Sequence, residues 1–183
     1  MEYVPQSVSI NGLDEYNYPE FRGRLIELYL HAFTTGEYAR FILPETAEVT
    51  LDNLLRVGSG SMAFVGGRLV GLLAAFPLKK DPDFPADAGM AIPVDRAVYI
   101  AELMVHGDYR GRGIASLMLN RHLQKASENY SHAVIRVWEE NKPALELYRK
   151  LGFTMIAKIS QRKLTGDGGE FEMKKLYLAK ELE

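Results

Sequence analysis

The segment Tyr99–Leu123, YIAELMVHGDYRGRGIASLMLNRHL, constrains the fold more than any other part of the chain. An apolar run leads into a short loop in which Arg110 and Arg112 alternate with Gly111 and Gly113, and helical periodicity follows. Glycine lets a loop curl so that successive N–H groups face one anion, and the helix start adds its positive dipole end. The two arginines add donors suited to phosphate. In the helix, Ala115, Met118, Leu119, His122, Leu123 and Ala126 form one stripe, with Ser116, Asn120, Gln124 and Ser127 opposite and Leu117 as the exception. His122 on that stripe reads as a core histidine rather than a ligand.

The rest of the chain reads as mixed α/β. A short strand is expected at Ser7–Ile10. An amphipathic helix follows near Glu20–Phe33, with Phe21, Leu25, Leu28 and Ala32 on one face. Shorter helical patterns cover Glu37–Leu43 and Glu45–Arg56, separated by Pro44. SMAFVGGRLVGLLAAF is two apolar runs joined by Gly66-Gly67, the pattern of a tight hairpin. Pro77–Asp95, with four prolines, four aspartates and no periodicity, reads as a long surface loop. SHAVIRVW is a strand, and ENKPALELYRKLGF a short helix with Asn141 as N-cap and Gly152 as its stop. Thr154–Leu164 and Glu170–Leu178 form a closing hairpin.

With 183 residues the chain suits a single domain, 1–183. Its net charge of -2 argues against a general nucleic-acid partner. It contains no cysteine, so disulfides, thiolate zinc sites and an acyl-cysteine intermediate are excluded. The first residues lack the pattern of a secretory signal, and no apolar run is long enough to span a bilayer. A cytoplasmic protein without a membrane partner is expected.

Several owners of the phosphate cradle can be set aside. No Gly-Lys-Ser/Thr follows the glycines, so it is not a P-loop. The spacing is not that of a dinucleotide fingerprint, and no acid stands about 20 residues on, where His132 and Ala133 lie. No nucleophile elbow is present. Four histidines without an H-E-x-x-H pattern give no metal site.

YRGRGIASLML resembles the acetyl-coenzyme A signature of the GCN5-related N-acetyltransferase (GNAT) family, Gln/Arg-x-x-Gly-x-Gly/Ala, supplied here by Arg110–Ala115. VWEENKPALELYRKLGF resembles the second signature of that family, with Asn141, Ala144, Tyr148, Gly152 and Phe153 in register. The resemblance implies a GNAT-type mixed, mostly antiparallel sheet of six to seven strands flanked by helices, with strands 4 and 5 splayed. It implies an acetyl-CoA-dependent transfer to a primary amine, on a small molecule or a protein, without a metal.

By the same resemblance, the backbone of Leu103, Met104 and Val105 pairs with the pantetheine arm. Main-chain N–H groups of Arg110, Gly111, Arg112, Gly113, Ile114 and Ala115 hold the pyrophosphate, and Asn141 and Ala144 also reach the cofactor. Tyr148 is the expected acid for the departing thiolate. Its alternative is core packing on the face it shares with Ala144, Leu145 and Leu151. Glu102, the one charge on the apolar strand AVYIAELMV, is the expected base; its alternative is a structural carboxylate paired with an arginine. Deprotonating an amine of pKa about 10.4 at neutral pH costs about 4–5 kcal/mol, which is why a base is wanted. A backbone N–H near Leu103–Met104 could stabilise the developing oxyanion. The other readings are a non-catalytic CoA-binding sensor of the same fold and an unrelated phosphate-binding domain. The expected assembly is a monomer or homodimer. The acceptor would be shaped by residues 21–56, 77–95 and 166–169, where the aspartates of the long loop could draw in a cationic amine.

Overall fold

A computed structural model of the protein describes residues 7–36, 39–90 and 92–183. Its elements in chain order are β1 (Val8–Leu13), α1 (Tyr18–Thr34), α2 (Pro44–Val57), β2 (Ser59–Val65), β3 (Arg68–Pro77), β4 (Ala97–Val105), α3 (Ile114–Ala126), β5 (His132–Trp138), α4 (Lys142–Lys150), β6 (Thr154–Leu164) and β7 (Glu170–Glu181). The strands form one seven-stranded sheet in the order β1-β2-β3-β4-β5-β7-β6. β4 and β5 pair in parallel, and α3 lies between them in the chain, as a parallel crossover requires. Among the described residues no helix is long and apolar enough to cross a membrane.

The chain divides into two compact units interleaved along the sequence. Met1–Ala74 with Glu102–Asn120 makes the first, and Ala75–Ala101 with Arg121–Glu183 the second. In the first, β1 runs antiparallel to β2, from Val8 opposite Val65 to Leu13 opposite Gly60. The α1 stripe buries Leu25, Leu28 and Ala32, and also Tyr18 and Tyr29. Arg22 ties α1 to α2, its Nε donating to Asp52 Oδ1 at 2.8 Å and its Nη2 to Glu48 at 3.0 Å. The Arg22 hydrogen bond holds the Asp52 carboxyl down at about 2. A Cβ at Gly71 would lie 2.9 Å from Met118 Sδ and 3.0 Å from Ala63 Cβ, so the bare backbone of β3 lets α3 approach closely.

In the second unit, β4 pairs with β5 only from Ala97 opposite His132 to Ile100 opposite Ile135. Strand β5 continues to Trp138 with β7 as its partner, opposite Lys175. The parallel ladder therefore ends while both strands continue, as the splayed fourth and fifth strands require.

Two expectations need correction. Ala39–Leu43 is irregular, not helical, while Glu37 and Tyr38 lie outside the described residues. Pro44 opens α2 instead of separating two helices, because its fixed φ and missing N–H suit a first helical position. The segment after β3 lies at the surface, with many exposed residues, but it is anchored and not a free loop. It carries 3-10 turns at Leu78–Lys80, Ala88–Met90 and Val94–Arg96, and Leu78 and Ile92 are buried in a cluster with Tyr99, Val134 and Tyr177.

Polar contacts fix that segment as well. Asp81, only 9% exposed, accepts a 2.8 Å hydrogen bond from the Tyr177 hydroxyl. Arg136 Nη1 donates to the same hydroxyl at 3.0 Å and to Asp83 Oδ2 at 2.8 Å, and Gln161 Nε2 donates to Asp83 at 3.0 Å. Asp81 and Asp83 are thus structural anchors, Asp81 buried and Asp83 exposed; Asp87 is exposed, and exposed Asp95 lies 3.7 Å from Lys79 Nζ.

Tyr177→Phe should remove the hydroxyl that links Asp81 to Arg136 without opening a cavity. The expected cost is about 1–3 kcal/mol, that of leaving buried polar groups unsatisfied. Urea unfolding measures it, and a loss below about 0.5 kcal/mol would show that this hydroxyl does not anchor the segment.

Candidate active site

In the first unit, the end of β4 and the start of α3 enclose a turn whose hydrogen bonds can be followed group by group. The N–H of His106 donates to Val70 O at 2.8 Å, which closes the strand. Tyr109 N–H then donates to His106 O at 2.9 Å and Arg110 N–H to Gly107 O at 3.2 Å. Gly111 and Gly113 follow with φ of 73° and 76°. A Cβ at either would meet nothing within 4 Å, so the backbone conformation and not crowding requires glycine there. Leu117 N–H donates to Gly113 O at 2.9 Å. The N–H groups of Ile114, Ala115 and Ser116 therefore precede the helical ladder and point along the helix start. An open loop with left-handed glycines ahead of such donors fits a pyrophosphate.

The two arginines of the motif have separate contacts. Arg110 is a strut: its Nε donates to Val105 O at 3.0 Å and its Nη2 to Ala32 O at 2.9 Å. Arg112 is exposed, donates to Asp108 O at 2.9 Å and lies over the Tyr109 ring at 5.0 Å.

Glu102 is half-buried on β4, with Leu103 half-buried and Met104 and Val105 buried beyond it. The Tyr29 hydroxyl on α1 lies 3.5 Å from Glu102 Oε1. Burial, and then the charge of Glu102, push the Tyr29 phenol well above its ordinary value, so it keeps its proton and acts as a donor. Tyr29 was not singled out from the sequence because it falls on the apolar stripe of α1.

A pair of histidines stands behind the turn. The rings of His31 and His106 are stacked, 3.8 Å between centroids and 11° apart. Gly107 N–H donates to His31 Nε2 at 3.2 Å. Arg68 lies 3.0 Å from His106 Nε2 and the Asp108 N–H 3.3 Å from its Nδ1, two donors facing a ring that has one acceptor when neutral. Burial, then His31 and Arg68, lower the pKa of His106.

The second unit carries the other expected residues. Asn141 Oδ1 accepts from Ala144 N–H at 3.3 Å and caps α4. Tyr148 is buried, its ring 6.1 Å from that of Phe153. The Phe153 N–H returns to Tyr148 O at 3.0 Å, past Gly152 at φ 87°. His122 is half-buried: its Nε2 is enclosed with no partner, and burial lowers its pKa to about 4. Among the described residues no cluster of metal-ligating side chains is present.

This arrangement coincides with a match to the acetyltransferase (GNAT) family over residues 19–153. The chain belongs to that family. It is 29% identical over 116 residues to N-acetyltransferase family 8 member 2 of Rattus norvegicus, covering 63% of this chain and 47% of that protein. It is 39% identical over 80 residues to the N-alpha-acetyltransferase MAK3 of Arabidopsis thaliana, covering 43% of this chain and 42% of that one. The chain thus spans about half the length of this rat relative. In fold it is similar to yncA of Salmonella typhimurium, solved with its cofactor acetyl-CoA. The TM-score is 0.68 at 16% identity, with 97% of this chain and 95% of that one covered.

Gly113→Ala would force a Cβ onto a left-handed backbone. The expected loss is about 1–2 kcal/mol of stability, measured by urea unfolding. A loss within about 0.3 kcal/mol of zero would show that the turn does not need this φ.

Proposed function

We propose that this GNAT protein is an acetyl-CoA-dependent N-acetyltransferase, a single domain over residues 1–183, which acetylates a primary amine by direct attack in a ternary complex. One observation carries the reading. The parallel ladder of β4 stops at Ile100, and the same strand leads into a turn whose glycines and helix-start N–H groups fit a pyrophosphate. Family membership and the fold shared with an acetyl-CoA complex support it.

The roles follow from the chain's own groups. Main-chain N–H groups from Gly111 through Ala115 hold the pyrophosphate. Arg110, whose N–H and side chain are turned to carbonyls of the protein, supports them from behind. The backbone of Leu103–Val105 holds the pantetheine arm, and Asn141 and Ala144 form its other contacts. Acetyl-CoA bound there supplies the acetyl thioester. Glu102, oriented by Tyr29, takes the proton of the amine. A backbone N–H near Leu103–Met104 stabilises the charge that develops on the carbonyl oxygen. Tyr148 gives a proton to the departing sulfur. The chain has no cysteine to carry the acetyl group, which favours direct transfer. The name of the Arabidopsis relative, an N-alpha-acetyltransferase, puts peptide α-amines first in an acceptor panel, with small polyamines beside them.

Acetyl-CoA at about a hundredfold excess over its Kd should stabilise the protein by about 2.7 kcal/mol, read as a raised Tm. No shift at saturating acetyl-CoA would overturn the proposal. Binding without thiol release across the amine panel would favour a non-catalytic sensor.

Tyr148→Phe should lower kcat by roughly 10²-fold and leave acetyl-CoA affinity nearly unchanged. An unchanged kcat would remove Tyr148 from the chemistry. Glu102→Gln should lower kcat/KM and flatten the acidic limb of its pH profile; a wild-type profile in this variant would exclude Glu102 as the base.

A further inference from the structure

The motif arginine and a histidine outside the motif tie the same two pieces of the first unit together. Arg110 Nη2 reaches Ala32 O, and the residue before it, His31, accepts from Gly107 N–H through Nε2. Both contacts join the last turn of α1 to the turn that leads into the Gly111–Ala115 cradle. The Arg110 link uses guanidinium donors only. The His31 link uses a ring-nitrogen lone pair, the place a proton would take. To accept from Gly107, His31 must be neutral with its proton on Nδ1. A protonated ring carries N–H on both nitrogens, so Nε2–H would then face the Gly107 N–H, donor against donor. A Cβ at Gly107 would come within 3.1 Å of the same Nε2, so the ring lies closely against this turn.

The charges around His31 add to the effect. His106 is stacked on it, and Arg68 lies 3.0 Å from His106 Nε2. The Arg110 guanidinium bonds the next carbonyl of α1. Against these stand Asp108, whose Oδ2 is 3.8 Å from His106 Nδ1 and whose side chain is 75% exposed, and Glu27, exposed one turn earlier on α1. Burial, then His31 and Arg68, lower the pKa of His106. Tyr109 faces His106 edge-on at 5.8 Å.

We propose that His31 is a positioning residue for the cofactor cradle: its protonation releases Gly107, loosens the turn before Gly111 and weakens binding of the pyrophosphate-bearing cofactor. The second half of this proposal rests on the acetyl-CoA reading above. The first half concerns the protein alone.

The test uses the full chain, His31→Gln and His31→Phe. Glutamine offers an acceptor that does not titrate; phenylalanine keeps a stacking ring without an acceptor. In the cofactor-free protein, amide exchange at Gly107 is followed by NMR from about pH 7.5 to about pH 5.5, corrected for intrinsic rates, a range that spans imidazole titration. Wild-type protection should fall roughly tenfold, as expected for one lost hydrogen bond, while His31→Gln should stay nearly level. His31→Phe should be weakly protected throughout. Acetyl-CoA affinity should weaken on acidification more in the wild type than in His31→Gln. The 3′-phosphate of the cofactor itself titrates near about pH 6, so the glutamine variant supplies the shared ligand contribution. If His31→Gln keeps the wild-type pH dependence of Gly107 exchange, the proposal is overturned. If exchange behaves as expected and acetyl-CoA binds at no pH, the functional reading fails and the latch stands.

Discussion

Backbone hydrogen bonds must be satisfied somewhere, and the chain from Val105 to Ser116 concentrates its spare donors in one short stretch. Up to Arg110 the groups are used internally. His106 N–H goes to Val70, Gly107 N–H to His31, Tyr109 and Arg110 N–H to the turn itself, and Val105 O takes the Arg110 side chain. The left-handed glycines then turn the chain, and the helical ladder resumes only with Leu117. Donors left over between a satisfied turn and a satisfied helix make the anion site that the proposed function needs. Its position therefore depends on how well the preceding turn is held.

Under the proposed function, the segment between β3 and β4 would bear on acceptor choice. Its aspartates, read from composition, could attract a cationic substrate. Asp83 is instead held by Arg136, whose hydrogen bond keeps its carboxyl below the ordinary range, and Asp81 is hydrogen-bonded to Tyr177. A carboxylate already neutralised by a guanidinium exerts little pull on an incoming amine. Of the four aspartates, Asp87 and Asp95 are left exposed as candidates for such a pull, on a segment anchored by buried Leu78 and Ile92.

Local patterns carried much of the architecture and part of the candidate site. Gly66-Gly67, the Asn141 cap with Gly152 as its stop, and the apolar stripes of α1 and α3 all act within a few residues of themselves. Such effects can be read from spacing. Contacts across long sequence distances cannot. Asp81 meets Tyr177, 96 positions away, and Arg110 meets Ala32, 78 positions away. Pro44 illustrates a local signal with two meanings, since proline both ends and begins helices. Tyr29 was hidden because a residue that lines a core and one that orients a carboxylate can occupy the same stripe. The charge of Arg110 suggested a phosphate ligand, but its planar fork is equally suited to two carbonyls at once.

The proposed chemistry separates two buried phenols by what surrounds them. Tyr29 lies beside a carboxylate in a buried setting, and both burial and that charge oppose loss of its proton. It is suited to orient Glu102 as a constant donor and unsuited to shuttle a proton. Tyr148 sits on α4 in the second unit, backed by Phe153 and by the tight turn at Gly152. Helix capping at Asn141 and the left-handed stop at Gly152 fix both ends of this short helix, so its backbone offers the phenol little freedom to wander. A proton donor to a departing sulfur needs that restriction, because misplacement by about 1 Å can cost roughly 10²-fold in rate. On this reading the second signature motif serves mainly to hold one hydroxyl in place.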